Sequence, residues 1–345
     1  MATNHKKHSA AKPAKKRGRA KRILGYTGLA LAFIICAGGG VGLYEYHQLQ
    51  PKNYITPKTR PVLATGTKEQ SKQGNGTFNM LLLGSDARAT GSSTDLSNAA
   101  SHSDSMILVH IDLNKHQFNM VSIPRDTRVY LAGYGYTKLT SVQYMDQVNH
   151  GEKQGIIDTV KAISQLTDVP INYYAETNYS GLQNMVNTVG GITMNLPFPI
   201  MINHAWYPQD NGKSFTAGPH FVDGRMAFEL THTRDGLPGT DFGRQRLQEA
   251  VLVGIAKKIM SPSEVTKLPA LSKSLRRYLV ATNMPPQLMI SIGIGMKGFF
   301  NTSQDIHYEQ LFGKSEMVYN DVLKAYDEEI ILPKSEIQML GKKNF

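Results

Sequence analysis

The sequence predicts an α/β protein, an α-β-α sandwich around a mixed β-sheet, preceded by one transmembrane helix. Three observations carry that expectation. Short unbroken apolar runs end at turn residues, as strands buried on both faces do. Stretches with apolar residues at helical spacing lie between them, which is the pattern of helices layered on a sheet. One long uncharged segment stands behind a basic tail near the N-terminus.

The elements follow in chain order. Residues 1–22 hold nine Lys or Arg and no acid, so nine of the eleven net positive charges lie there and the remaining chain is close to neutral. No aromatic residue interleaves them, which argues against nucleic acid as a partner and for topogenic charge beside anionic lipid. Residues 23–43 are uncharged and span roughly 30 Å as a helix, the hydrocarbon thickness of a bilayer. That run is longer than the core of a cleaved signal peptide, and the basic side predicts a cytoplasmic N-terminus and an exported body. The only cysteine, Cys36, falls inside it, so the exported part has neither a disulfide nor a thiolate metal site. Residues 44–77, rich in Pro, Lys, Thr and Gly, read as an extracellular linker.

The folded body is expected over 78–260. Met80–Leu83, Met106–Val109 and Phe118–Ile123 read as strands, the last two joined as a hairpin by the polar turn at Asn114 to His116. Ile156, Val160 and Ile163, then Leu182, Met185 and Val189, mark two helices, the second closed by Gly190-Gly191. Ile192–Leu196 reads as a strand, and Leu247, Val251, Ile255 and Ile259 mark a further helix. Residues 261–345 are expected to form a partly helical extension, with helices near 263–280 and 316–325.

Four acidic and basic clusters lie at the ends of these elements. Asp86 leaves the first strand, Asp104 precedes the second, and Arg125-Asp126 follow the third. The two ends of an antiparallel hairpin fall on one side, so Asp104, Arg125 and Asp126 share a rim. Asp86 joins them if its strand runs parallel to Phe118–Ile123. Thr240 or Asp241 is a plausible N-cap of the following helix, whose free N–H groups favour a phosphate. Arg244 and Gln248, four apart, share one face near that end, and Arg234 arrives just before it. Carboxylates for a metal together with arginines whose planar fork matches phosphate oxygens are what pyrophosphate chemistry requires. Each pair alone would pass for a surface ion pair or a turn; the ordered set points to one site.

Asn79–Arg88, His102–Met106, Val121–Thr127, Val186–Ile192, and Gly224–Phe228 running on to Arg234 and Gln248 resemble, in order, the LytR-CpsA-Psr family over about 79–260. The resemblance implies an extracytoplasmic phosphotransferase in the cell membrane. Such enzymes move a glycopolymer (teichoic acid, capsular or another wall polysaccharide) from a polyprenyl-pyrophosphate carrier to a peptidoglycan sugar hydroxyl. By position, Asp86 and Asp104 resemble the carboxylates that hold Mg²⁺. Arg125, Arg234 and Arg244 resemble the pyrophosphate-binding arginines, Gln248 is a further contact, and Arg88 stands beside them. Asp104 is the first candidate for the base that takes the hydroxyl proton, Asp126 the second. The apolar elements behind the site would enclose the lipid tail.

The chain departs from the family pattern at four places. His102 and His232 stand where the family usually has arginine, and both face the expected pyrophosphate. Leu247 stands where the pattern has arginine before the glutamine, and residues 90–100 look inserted between the two metal carboxylates. These departures leave two other roles open: a weakened, lipid-polymer-binding scaffold, or a phosphohydrolase using water on the same site.

Overall fold

The computed structural model describes residues 76–87, 100–259, 261, 268–295 and 306–342. The expected basic tail and membrane span lie outside these residues, as do all but the last two residues of the linker. So do Arg88 and nearly all of the 90–100 insertion. Among the described residues no helix is long and apolar enough to cross a membrane.

In chain order the first half comprises β1 (Thr77–Ser85), β2 (Ser103–Asp112), β3 (Gln117–Ser122), β4 (Arg128–Leu131), β5 (Gly135–Lys138), α1 (Leu139–His150), α2 (Glu152–Thr167), β6 (Tyr173–Asn178), α3 (Tyr179–Thr188) and β7 (Ile192–Leu196). After β8 (Ile200–Met201), β9 (Ser214–Phe215) and β10 (Gly218–Val222) come α4 (Gly224–His232), α5 (Asp241–Ile259) and α6 (Leu268–Arg276). The chain continues through β11 (Leu279–Thr282), α7 (Pro286–Gly295), β12 (Ile306–Gln310), β13 (Lys314–Asn320), β14 (Ala325–Ile331) and α8 (Lys334–Lys342).

The central sheet is mixed, with six strands in the order β11-β6-β1-β2-β3-β12. β1 pairs antiparallel with β2 and parallel with β6, and β2 pairs antiparallel with β3. β1 and β3 therefore run the same way, which is the condition that brings Asp86 to the rim of Arg125.

The apolar run of β1 is explained by its two buried faces. Leu81 and Leu83 enter one core with Leu108, Val121 and residues of α1 and α2. Phe78, with Met80 and Leu82, enters another with Ile107, Val109, Leu252 of α5 and Leu288 of α7. Helices thus cover both sides, as the sequence predicts. A third core joins α3, α4 and α5 to the paired strands β7 and β10.

The C-terminal part differs from expectation. β11 and β12 are the two edge strands of the central sheet, so the sheet runs past the expected boundary at 260. The stretch expected as a helix over 316–325 is instead the end of β13 and the turn of a hairpin in which β13 pairs with β14. Met317 and Tyr319 alternate with partly buried Val318 and buried Asn320, which is a period of two, and Lys324 sits at φ 56° in the turn.

α1 escaped the pattern reading because its inner face is partly polar: Gln143, Asp146 and Gln147 are buried beside Leu139 and Val142. Within the tyrosine-rich stretch, Tyr134 packs on the core and Tyr144 stacks on His102. Tyr130 and Tyr136 form an exposed edge-to-face pair on the β4–β5 hairpin.

Candidate active site

The strand ends meet as their directions require. Arg125, three residues beyond β3, bonds the Asp104 carboxylate at the start of β2 through Nη1. Its Nε lies 3.7 Å from Asp241 Oδ1 and 3.9 Å from Asp126 Oδ2. Asp241, at the first turn of α5, also binds the Arg244 guanidinium through Oδ1, and its Oδ2 accepts from Gln245 at 3.2 Å. Asp241 is therefore the acid between two arginines, where the sequence suggested a helix cap. Gln245 accepts from Ser122 at 2.7 Å, and Gln310 of β12 donates to the Phe242 carbonyl at 2.9 Å. These bonds dock the start of α5 on the ends of β3 and β12, which aims Arg244 at Asp104, whose carbonyl lies 3.5 Å from Arg244 Nη2.

Polar residues of α1 hold the other side. The Ser101 N–H donates to Gln147 at 2.7 Å, and the Ser103 hydroxyl bonds Gln143, which donates in turn to buried Glu176 at 2.8 Å. This pins residues 101–104 from beneath, and it accounts for the buried glutamines of α1.

Asp86 and His102 form a closed pair. The His102 N–H donates to Asp86 Oδ1 at 2.7 Å, and Nδ1 lies 3.5 Å from Oδ2. Burial works to raise the Asp86 pKa, but the bonds from His102 outweigh it and hold the carboxyl below its usual value. The bond to Asp86 raises the His102 pKa, partly offset by burial. His232 moves the other way: burial among Tyr179, Trp206 and Phe228 depresses its pKa and favours the neutral ring.

Tyr179, the first residue of α3, is the site residue that the sequence reading missed. Its hydroxyl donates to Asp104 Oδ2 at 3.3 Å, and burial, with the Asp104 charge, pushes its pKa up to about 12. The only hint in the sequence is an aromatic residue directly after the N-cap Asn178.

Two cavities meet here. One is apolar, lined among others by Leu82, Leu83, Leu182, Met185, Val251 and Ile255. Leu82, Leu252 and Ile255 also line a second apolar cavity, which extends between the sheet, α5 and α7. The other is polar, lined by Arg125, Asn203, His204, His232, Arg234 and Arg244 among others. Asp104, Tyr179 and Arg244 line both the first apolar cavity and the polar one.

Of the predicted residues, Asp104, Arg125, Arg234, Arg244 and His232 are brought together around the polar cavity. Gln248 lines the apolar side instead, with its buried Oε1 unbonded. Asp126 turns toward Lys138, 3.7 Å away, which also binds Asp327 at 2.8 Å. Arg125 Nε and Arg244 Nε are buried without a hydrogen-bond acceptor, donors that an incoming anion would satisfy. No cluster of three or more His, Cys, Asp or Glu suited to a metal occurs among the described residues.

The fold is thus an α-β-α sandwich in which arginines and carboxylates stand at the mouth of an apolar cavity. The sequence profile of the LytR_cpsA_psr family matches residues 48–338, and the chain belongs to that family. It is 30% identical over 288 residues to the polyisoprenyl-teichoic acid–peptidoglycan teichoic acid transferase TagU of Bacillus licheniformis, covering 82% of this chain and 85% of the relative. It is 26% identical over 306 residues to the corresponding transferase TagT of Bacillus subtilis, covering 87% and 88%. Among solved structures, B. subtilis TagV superposes with a TM-score of 0.62 at 23% identity, over 77% of this chain and 95% of that one. The family protein YwtF (TagT) with bound octaprenyl pyrophosphate gives 0.56 at 22%, over 79% and 90%. These likenesses show the same fold.

Proposed function

We propose that this chain transfers a wall glycopolymer from a polyprenyl-pyrophosphate carrier to a sugar hydroxyl of peptidoglycan. One observation carries the reading: an apolar cavity and an arginine-lined polar cavity share Asp104, Tyr179 and Arg244. A ligand with a long apolar tail joined to a pyrophosphate needs that junction. The names of the relatives, teichoic acid transferases acting on peptidoglycan, agree with it.

In the reaction, an acceptor hydroxyl oxygen forms a bond to the polymer-side phosphorus while the bond to the carrier-side bridging oxygen breaks. Polyprenyl phosphate leaves and the hydroxyl proton goes to a carboxylate. Phosphoryl transfer of this kind needs positioning and charge neutralisation more than covalent help. Arg244 and Arg125 would turn their unbonded Nε donors to the phosphate oxygens, and Arg234, exposed at the cavity edge, would close on them. Asp104 stays the first candidate for the base, since it lines the polar cavity and Asp126 does not.

The donor set fits Mg²⁺, which takes one or two carboxylates and fills its remaining positions with phosphate oxygens and water. Asp86, held in its anionic form, and Asp104 would supply those carboxylates; with Asp104 on the ion, Asp126 would be the carboxylate left to take the proton. Bound there, the ion would neutralise charge developing on the pyrophosphate. The proposed setting is the outer face of the cell membrane, with residues 23–43 as the anchor.

The test uses the full chain in detergent with a synthetic polyprenyl-pyrophosphate saccharide, peptidoglycan oligomers and Mg²⁺, beside an Asp104→Ala control. Release of polyprenyl phosphate coupled to saccharide attachment, both lost in the control, is the expected result. Release without attachment would make the chain a phosphohydrolase. Binding with neither product would leave a scaffold, for which the engagement of Asp86 by His102 is the favouring observation.

A further inference from the structure

Trp206 is the only tryptophan of the chain, and the residue is 49% exposed beside the polar cavity. The loop around it is built to hold it there. The Ile202 N–H donates to the Lys213 carbonyl and the Gly212 N–H to the Ile202 carbonyl, both at 2.8 Å, which closes the loop at its base. Buried Glu229 of α4 accepts from the backbone N–H of Trp206 at 3.1 Å and of Tyr207 at 2.6 Å. Asp210, with no exposed surface, binds Lys213 at 2.7 Å and the Arg225 guanidinium.

The indole meets His232 edge-on, with ring centroids 5.7 Å apart, and meets Phe228 at 5.9 Å. His232, Asn203 and His204 line the polar cavity together with Arg234 and Arg244. A rigid loop thus presents an aromatic face, an amide and an imidazole next to the arginines expected to grip phosphate.

We propose that residues 202–213 form the subsite for the first sugar of the carrier-linked saccharide, with Trp206 as its stacking platform and Asn203 as a hydrogen-bonding partner. The inference rests on the proposed function and names a residue that sets its donor specificity. A pyranose has one face of C–H groups and a rim of hydroxyls, so it pairs with an exposed aromatic ring flanked by amide groups. The first sugar is esterified to the pyrophosphate, so it must lie within a few bonds of whatever holds the phosphate. The lipid tail is the wrong occupant, because Trp206 lines neither apolar cavity.

With a single tryptophan, intrinsic fluorescence reports on this position alone. The full chain in detergent is titrated with a short-chain prenyl pyrophosphate and with the same carrier bearing a disaccharide, by fluorescence and by calorimetry. The disaccharide ligand is expected to shift the indole emission and to bind about tenfold tighter than the bare carrier. Trp206→Ala should erase that gain without changing affinity for the bare carrier, and Trp206→Phe should retain most of it. Unchanged affinity for the bare carrier also establishes that the variants are folded. Equal affinity of the wild type for both ligands, or a full gain in Trp206→Ala, overturns the subsite while leaving the functional reading in place. Binding of neither ligand overturns both.

Discussion

Arg125 and Arg244 share one carboxylate as a neighbour. Asp241 bonds Arg244 and lies 3.7 Å from Arg125, so it holds two guanidinium groups together that would otherwise repel. Asp241→Asn keeps the shape and removes the charge; kcat/KM for transfer should fall about tenfold or more, with the larger part in KM. A steady-state series at saturating acceptor checks it, and an unchanged KM would count against this role. The two histidines that stand where the resemblance leads one to expect arginine separate at the same scale. His102 is already joined to Asp86, whereas burial keeps His232 neutral beside the polar cavity. His232→Arg should therefore raise turnover at neutral pH, and His102→Arg should change it little. Lower turnover in His232→Arg would mean that the aromatic packing around the ring matters more than the missing charge.

At the scale of elements, the site depends on how closely α3 and α4 approach, since the first carries Tyr179 and the second ends at His232. Gly224 opens α4, and a Cβ there would lie 2.1 Å from the Gln183 carbonyl oxygen of α3. Gly224→Ala must push the helices apart and should cost about 3 kcal/mol. Asp223→Ala removes only the cap bond to the Met226 N–H, 2.8 Å long, and should cost about 1 kcal/mol. Denaturant titration of both variants tests the order, and equal costs would refute the close-packing account. The elements most legible in the sequence were those with one apolar period or an unbroken apolar run: β1, β2, β3, α2, α3, β7 and α5. α1 was hidden because its buried face carries glutamines that serve the site, and β13 because a hairpin with one exposed face is only weakly apolar. For the site, strand ends were readable because two hairpin ends must coincide. Tyr179 was not, because its contact with Asp104 spans 75 residues and exists only through the pairing of β6 with β1.

For the molecule as a whole, two groups shielded from water, His110 on β2 and Glu249 on α5, set opposing dependences of stability on pH. His110 is buried in β2 with Nδ1 2.7 Å from Asn79 Oδ1, and burial depresses its pKa from 6.5 to about 4. The unfolded chain takes up that proton below 6.5 while the native protein does not. Stability is therefore complete above 6.5 and lost as pH falls toward 4, by about 3 kcal/mol. Glu249 on α5 is pushed by burial from 4.5 up to about 7. There the native state holds the proton and the unfolded state does not, so stability grows as pH falls from 7 to 4.5, by a smaller amount because the side chain is partly exposed. Between 4.5 and 6.5 the two slopes have opposite signs, and the wild-type profile should be shallower than either group alone would make it. His110→Asn keeps an amide donor near the position of Nδ1 and removes the titration. Measured against wild type, its unfolding free energy should climb progressively as pH falls through this window. Glu249→Gln should show the reverse, losing ground in acid. Differences between variant and wild type cancel every other titrating group common to both, Asp86 and His102 included. Denaturant midpoints at half-unit intervals from pH 4 to 7.5 measure both differences, and flat difference curves would show that neither group is held in the protonation state its burial demands.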